Sequence, residues 1–268
     1  MDSSHAIHTD IELAKHVQKG LLDIQPSTFT GIQVARQSIA ADKIGGDFFI
    51  FNHKEIPKMA EDHQLPGVMH YNSGIETTIT IGIGDVAGHG VASALVMALS
   101  MGLFSDVINE IKEPKNAFDT INERLREFIS STQIPYITAA LLLIQPQSQR
   151  IYYSQAGHHP TILLSKKGEI KMLDCPGSFL GMYPDECYSQ ESTEIKSGDR
   201  ILLYTDGISE ASSPKKIPFG QDQVIDHLMK TQQTAIQTVI DSLFLKLKSH
   251  QQSNLPIDDQ TAILIEIT

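Results

Sequence analysis

Apolar residues along the chain follow two periods, and the switches between them outline the elements. Ile11, Ala14, Gln18 and Leu21 recur at three-then-four spacing, which predicts a helix over 11–22 with one face free to meet a partner helix or the parent domain. "GIQVARQSIAADKIGGDFFIF" reads as two strands flanking a turn, the second carrying Gly45, Gly46 and Asp47. From about Asn52 to Glu76 the periodicity weakens around Pro57, Pro66, Gly67 and Gly74, as in a long hairpin connection or a surface excursion. Ile79, Ile81 and Ile83 then alternate with small or polar residues like a half-buried strand. Val91, Ala94, Leu95, Ala98 and Leu99 take up helical spacing directly afterwards, in a helix expected to reach Ile111. A second helix is expected in "PKNAFDTINERLREFISS", with Pro114 near its start and Phe118, Ile121, Leu125 and Phe128 on one face.

From Tyr136 the pattern turns to strands: "YITAALLLI", "QRIYYSQAG", "PTILLSKKG" and "EIKML", separated by turn residues and read as an antiparallel meander. Ile201 to Tyr204 forms a further strand that ends on Thr205, Asp206 and Gly207. A helical stretch from Val224 to Leu247 precedes a final strand, Ala262 to Ile267, which begins after "PIDDQT". Runs of strands with helices grouped between them predict an α+β fold with antiparallel sheets rather than an alternating βαβ fold. No long repeat and no low-complexity linker divides the chain, so one domain is expected.

Composition narrows the possible functions. A formal net charge of -11 over 268 residues leaves no basic stripe for nucleic acid and suits metal cations better. The longest apolar runs, "VASALVMALSMGLF" and "YITAALLLI", fall short of the roughly 20 residues that span a bilayer, so no membrane segment is expected. The polar, acidic start "MDSSHAIHTDIELAK" lacks a signal-peptide pattern, and a cytoplasmic location is expected. Cys175 and Cys187 are then expected as free thiols.

Two chemistries compete at the strand-to-helix seam. Gly82 to Ala87 fits the loose GxGxxG/A form, but a dinucleotide phosphate would sit against that turn, where Asp85 would repel it; the antiparallel strands downstream also disagree with such a fold. No phosphate-loop pattern and no GxSxG elbow occurs. The alternative is a hard-metal site built from Asp47, Asp85, Asp206 and Asp258 or Asp259, each at an expected strand end beside glycine or another acid. Magnesium and manganese take oxygen ligands and keep several waters, so a few carboxylates suffice for two ions. Two such ions about 3.5–4 Å apart can share a hydroxide that attacks phosphorus in line. Glycines beside Asp85 would let a backbone carbonyl such as that of Val86 approach as well. A lone Asp at any of these positions would be read as a turn or cap residue; four together favour the metal. His53, His63 and His70 lack tight ligand spacing and read as scattered surface histidines.

With these residues in view, the chain resembles the bacterial RsbU/SpoIIE-type serine phosphatases of the metal-dependent protein phosphatase (PPM) superfamily. The likeness runs in order through "AKHVQKGLL", "IGGDFF", "GDVAGHGVASALVMA", "YITAALL", "YYSQAGHHP", "GSFLG", "GDRILLYTDGISEA" and "DDQTAILI". It implies a four-layer α-β-β-α sandwich of two antiparallel β-sheets flanked by helices. It also implies two Mn2+ or Mg2+ ions held by Asp47, Asp85 with the Val86 carbonyl, Asp206 and Asp258, with Asp85 bridging. The implied reaction is hydrolysis of phosphoserine or phosphothreonine on a regulatory protein, typically a STAS-type anti-sigma-factor antagonist, and a catalytically weak binding module in a partner-switching system is the alternative. Residues 1–25 are implied to be a linker or dimerisation helix, able to form a homodimer, and residues 26–268 the phosphatase domain. Two positions depart from the family pattern: Ile50 stands where "GGDfyD" has its last acid, and His89 lies four residues after Asp85, where eukaryotic relatives carry a proton-donating His two after theirs. His89 therefore reads as a helix-start residue, and His158 and His159 as shaping a turn before Pro160.

Overall fold

Strand alternation in this chain builds three apolar layers. The computed structural model describes residues 3–23, 29–59, 71–129 and 136–268. The elements in order are α1 (Ser3–Leu22), β1 (Ile32–Ile39), β2 (Phe48–Met59), β3 (Tyr71–Val86), α2 (Val91–Glu110), α3 (Pro114–Ile129), β4 (Ile137–Gln145), β5 (Arg150–Ala156), β6 (Thr161–Leu164), β7 (Ile170–Leu173), β8 (Glu191–Glu194), β9 (Arg200–Tyr204), α4 (Asp206–Ser209), α5 (Gln221–Lys230), α6 (Ile236–Gln251) and β10 (Gln260–Ile267). They form two antiparallel five-stranded sheets, ordered β1-β10-β9-β6-β7 and β2-β3-β4-β5-β8.

One side chain in two points between the sheets, where Ile79, Ile81, Ile83, Leu142 and Ile144 meet Leu163, Ile201, Leu203, Ile263 and Ile265. The other faces are covered by helices. Phe48, Ile50 and Leu141 pack against Met97 and Phe104 of α2 and Phe118, Ile121 and Leu125 of α3. Ile162, Leu202 and Leu264 pack against Val224 and Leu228 of α5 and Ile240 and Leu243 of α6. The result is the expected α+β, four-layer α-β-β-α sandwich.

The structure redraws several boundaries. β2 begins at Phe48, so Gly45, Gly46 and Asp47 form the turn before the strand rather than part of it. β4 to β7 are not one meander: β4 and β5 pair in one sheet, β6 and β7 in the other, and residues 157–160 carry the chain across. Gly157, at φ +63, makes that reversal. The helical stretch expected from Val224 to Leu247 is two helices broken at Thr231–Ala235. β8, sequence ESTE, is a short edge strand with no apolar alternation to announce it. In the weakly periodic 52–76 region the hairpin strands continue to Met59 and resume at Tyr71, with a register shift between Pro57 and Met59; His63, His70, Pro66 and Gly67 lie outside the described residues. Phe128, in the last turn of α3, is 54% exposed, so the buried stripe stops at Leu125.

α2 ends at Glu110, one residue short of the expected Ile111. It is the one helix among the described residues with the length and composition to cross a membrane, at 20 residues and a mean hydropathy of 1.9. Here its Met97, Phe104 and Val107 are fully buried in the layer above the second sheet.

Phe104 meets Phe48 and Phe118 edge-on, at 5.2 and 6.1 Å between ring centroids. Phe104→Ala is expected to cost about 3–5 kcal/mol of unfolding free energy, and Phe128→Ala to stay within about 0.5 kcal/mol of wild type, both read from urea denaturation.

Candidate metal centre

Antiparallel pairing explains why acids far apart in sequence meet. Phe48, the first residue of β2, lies opposite Gly84 near the end of β3, which places Asp47 and Asp85 at the same end of their sheet. Tyr204, the last residue of β9, lies opposite Ala262 near the start of β10, which does the same for Asp206 and Asp258 in the other sheet. Stacking the sheets brings the two pairs together.

The electrostatics record that meeting. Burial pushes the Asp47 carboxyl well above the usual carboxylate range, and the neighbouring charges of Asp85 and Asp259 push it further. Asp85 is pushed up to about 7, first by burial and then by Asp206, Asp258 and Asp259. Asp258, exposed at one side, is raised by partial desolvation and by Asp206 and Asp259, against the Asp259 backbone amide and His89, which lower it. All four acids picked from the sequence therefore share one field.

Asp258 and Asp259, interchangeable in the sequence, separate cleanly in the structure. Asp259 is 3% exposed, and its carboxylate accepts the Ala41 N–H at 2.7 Å and the Gly46 N–H. It thereby fixes the turn that presents Asp47. Asp258, among the described residues, accepts only the Asp259 N–H, at 2.9 Å, and lies in the field of Asp206 while acting on Asp85. Three glycines leave the space these groups need: a Cβ at Gly45 would overlap the Asp259 carboxylate, one at Gly207 the Asp259 carbonyl, and one at Gly46 would lie 2.7 Å from the Val86 carbonyl oxygen.

Two residues to which sequence reasoning gave no role at the site complete the centre. Thr205 precedes the one-turn helix α4, yet its hydroxyl makes no cap bond and donates instead to Asp47 Oδ2 at 2.8 Å, across the two sheets. The Thr205 hydroxyl also accepts the Thr261 N–H at 3.0 Å. Gln18 of α1, 9% exposed, grips the Gly45 peptide from both sides, donating to its carbonyl at 2.6 Å and accepting its N–H at 3.0 Å. Gln18 sat on the helical face read from the sequence, but an amide on an apolar stripe gave no sign of its target.

The donor set fits hard divalent cations. Asp47 Oδ1 is buried without a hydrogen-bond partner, an arrangement that is costly for a carboxylate unless a cation answers it. Among the described residues no trio of His, Cys, Asp or Glu side chains converges on one point by itself. An ion here would draw on the Val86 carbonyl and on water as well as on carboxylates, as Mg2+ does elsewhere. His89 is exposed, while His53 is exposed on β2.

Comparison with known proteins agrees with this geometry. The family described as Stage II sporulation protein E (SpoIIE) matches residues 76–268. Phosphoserine phosphatase RsbU of Bacillus subtilis is 24% identical over 263 residues, covering 97% of this chain and 70% of its own. The chain spans 58% and 41% of the length of two further relatives. Among solved structures, the SiaA-PP2C domain of Pseudomonas aeruginosa superposes with a TM-score of 0.80 at 19% identity, over 100% of this chain and 99% of its own. The catalytic domain of the serine threonine protein phosphatase PstP, described in complex with 2 manganese ions, gives a TM-score of 0.57 at 14% identity, over 89% of this chain and 99% of its own. With the matched segment covering most of the sequence and the sandwich shared throughout, the chain belongs to the SpoIIE family and has the PP2C-type fold.

Proposed function

We propose that the chain is a metal-dependent protein serine/threonine phosphatase acting in the cytoplasm on a small phosphorylated regulatory protein of the STAS-antagonist kind. The observation that carries this reading is the meeting of Asp47, Asp85, Asp206 and Asp258 from both sheets, with Asp47 Oδ1 buried and unpartnered. The name of RsbU, a phosphoserine phosphatase, and the manganese ions of PstP support it.

In this reading Asp47, Asp85, Asp206, Asp258 and the Val86 carbonyl hold two Mn2+ or Mg2+ ions. Such ions, when bound, supply an activated water and neutralise the phosphoryl oxygens. The chain's own part is placement. Asp85, in the field of the acids Asp206, Asp258 and Asp259 from the other sheet, would serve as the ligand shared by the ions. Thr205 engages one oxygen of Asp47 and leaves the other for an ion. Asp259 and Gln18 hold the Gly45–Gly46 turn behind it.

Residues 26–268 form the phosphatase domain in this proposal, and residues 1–25 the linker and dimerisation helix. α1 turns Leu13, Val17 and Leu21 outward at 65%, 58% and 41% exposure, beside Val91 and Leu95 of α2 at 53% and 68%. Together they line a groove of about 370 Å³ that a second copy of the helix would cover.

Hydrolysis of an aryl phosphate or of a phosphoserine protein is expected to require Mn2+ or Mg2+. Asp85→Asn and Asp206→Asn are each expected to lower kcat at least about a hundredfold, since a bridging or charge-neutralising ligand contributes several kcal/mol to the transition state. Activity without metal, or activity indifferent to both substitutions, would overturn this mechanism, and no hydrolysis with either metal would leave the binding-module alternative. Light scattering should return a dimer mass for the wild-type chain and a monomer mass for Leu13→Glu/Val17→Glu; a wild-type monomer would contradict the dimerisation helix.

A further inference from the structure

Beyond the acids themselves, one buried side chain touches both sheets at the level of the centre. His158 lies in the crossover between β5 and β6, the segment that leaves one sheet for the other. Its Nδ1 is 3.0 Å from the Thr138 hydroxyl on β4, and its Nε2 is 3.0 Å from the Tyr204 carbonyl oxygen on β9. A carbonyl only accepts, so Nε2 carries the proton; Nδ1 is then the acceptor, and the Thr138 hydroxyl donates to it. Burial, with His159 beside it, lowers the imidazole to about 3, which keeps this neutral tautomer in place.

Both partners stand one short step from an acid of the centre. Thr138 is the cross-strand neighbour of Asp85, and Tyr204 lies two residues before Asp206. Alternation along β3 and β4 puts Thr138 on the same face as Asp85. The ring therefore spans the space between the sheets where an acid of one must keep its distance from an acid of the other. His159 stacks on His158 with centroids 4.6 Å apart and lies against the Tyr204 ring at 4.1 Å, so the strut has little room to tilt. A buried histidine that merely satisfied its own polar atoms could bond any two groups nearby. These bonds join β9, which leads to Asp206, to β4, the strand paired with β3 at Asp85.

We infer that His158 is a positioning residue: a neutral imidazole strut between Thr138 and the Tyr204 carbonyl that sets the spacing of Asp85 and Asp206, and with it the affinity for divalent cations. This rests on the metal-dependent reading of the centre. Groups that orient metal ligands without touching the ion commonly change metal affinity by about 10–100-fold when removed.

The test is Mn2+ binding by titration calorimetry, with thermal unfolding of each metal-free variant beside it. His158→Leu is expected to bind Mn2+ at least about tenfold more weakly. Thr138→Val, which keeps the shape and removes the hydroxyl, should weaken binding severalfold, and the double variant should be no worse than His158→Leu alone. His227→Leu is the structural control: His227 is also buried and bonds the Val239 carbonyl at 3.0 Å between α5 and α6. It should lower the melting temperature and leave Mn2+ affinity unchanged. If His158→Leu does not fold, Thr138→Val decides, and Mn2+ affinity within twofold of wild type overturns the strut. The strut also falls if His227→Leu weakens binding as much as His158→Leu does. A wild-type chain that binds no Mn2+ overturns the phosphatase reading, and this inference with it.

Discussion

Carboxylates gathered at one end of the sandwich repel one another, and the structure around them exists to hold them against that repulsion. Asp47 is pushed toward its neutral form by burial and by the charges of Asp85 and Asp259, and Asp85 by burial and by those of Asp206, Asp258 and Asp259. In a chain without cations this is a standing destabilisation, of the kind found where function overrides stability. The opposing forces are specific. Backbone amides of Ala41 and Gly46 satisfy Asp259, hydroxyls of Thr205 and Thr261 lower Asp47, and glycines 45, 46 and 207 let the turns close to contact distance.

The sandwich suits this task for a topological reason. Antiparallel neighbours place the start of one strand beside the end of the next, so β2 with β3 and β9 with β10 deliver acids to the same edge without long loops. The apolar layer between the sheets, from Ile79 to Ile265, then fixes how far apart the two deliveries lie. Cores packed to native density deform little, so such spacing is held firmly. Thr205 and His158 add polar ties across the gap at the level where the acids meet. α1 reaches the same turn from outside through Gln18, which connects an exposed apolar helix to the peptide two residues before Asp47.

Much of this was legible in the sequence, for reasons that can be named. Alternation at Ile79, Ile81 and Ile83 and helical spacing from Val91 are local signals, and both elements formed where expected. The acids were visible because each lies at or near a strand end beside glycine or a second acid. What was not legible depended on partners distant in sequence. Nothing in "DDQT" shows that Asp259 turns toward Gly46 while Asp258 lies in the field of Asp206. Nothing in "YTDG" shows that the Thr205 hydroxyl leaves its own helix for Asp47, 158 residues away. The crossing from β5 to β6 was misread as a meander because Gly157, His158, His159 and Pro160 mark a turn equally well within a sheet or between sheets. β8 was missed because an edge strand of Glu, Ser and Thr buries too little to show a period.

The central claim is that Asp47, Asp85, Asp206 and Asp258 form one binuclear cation site. Its most direct test is anomalous scattering at the manganese edge from crystals grown with Mn2+. Two peaks are expected between the sheets, with Asp85 in contact with both and Asp47, Asp206, Asp258 and the Val86 carbonyl among their ligands. Manganese absent from that end of the sandwich, or bound only at the surface, would contradict it.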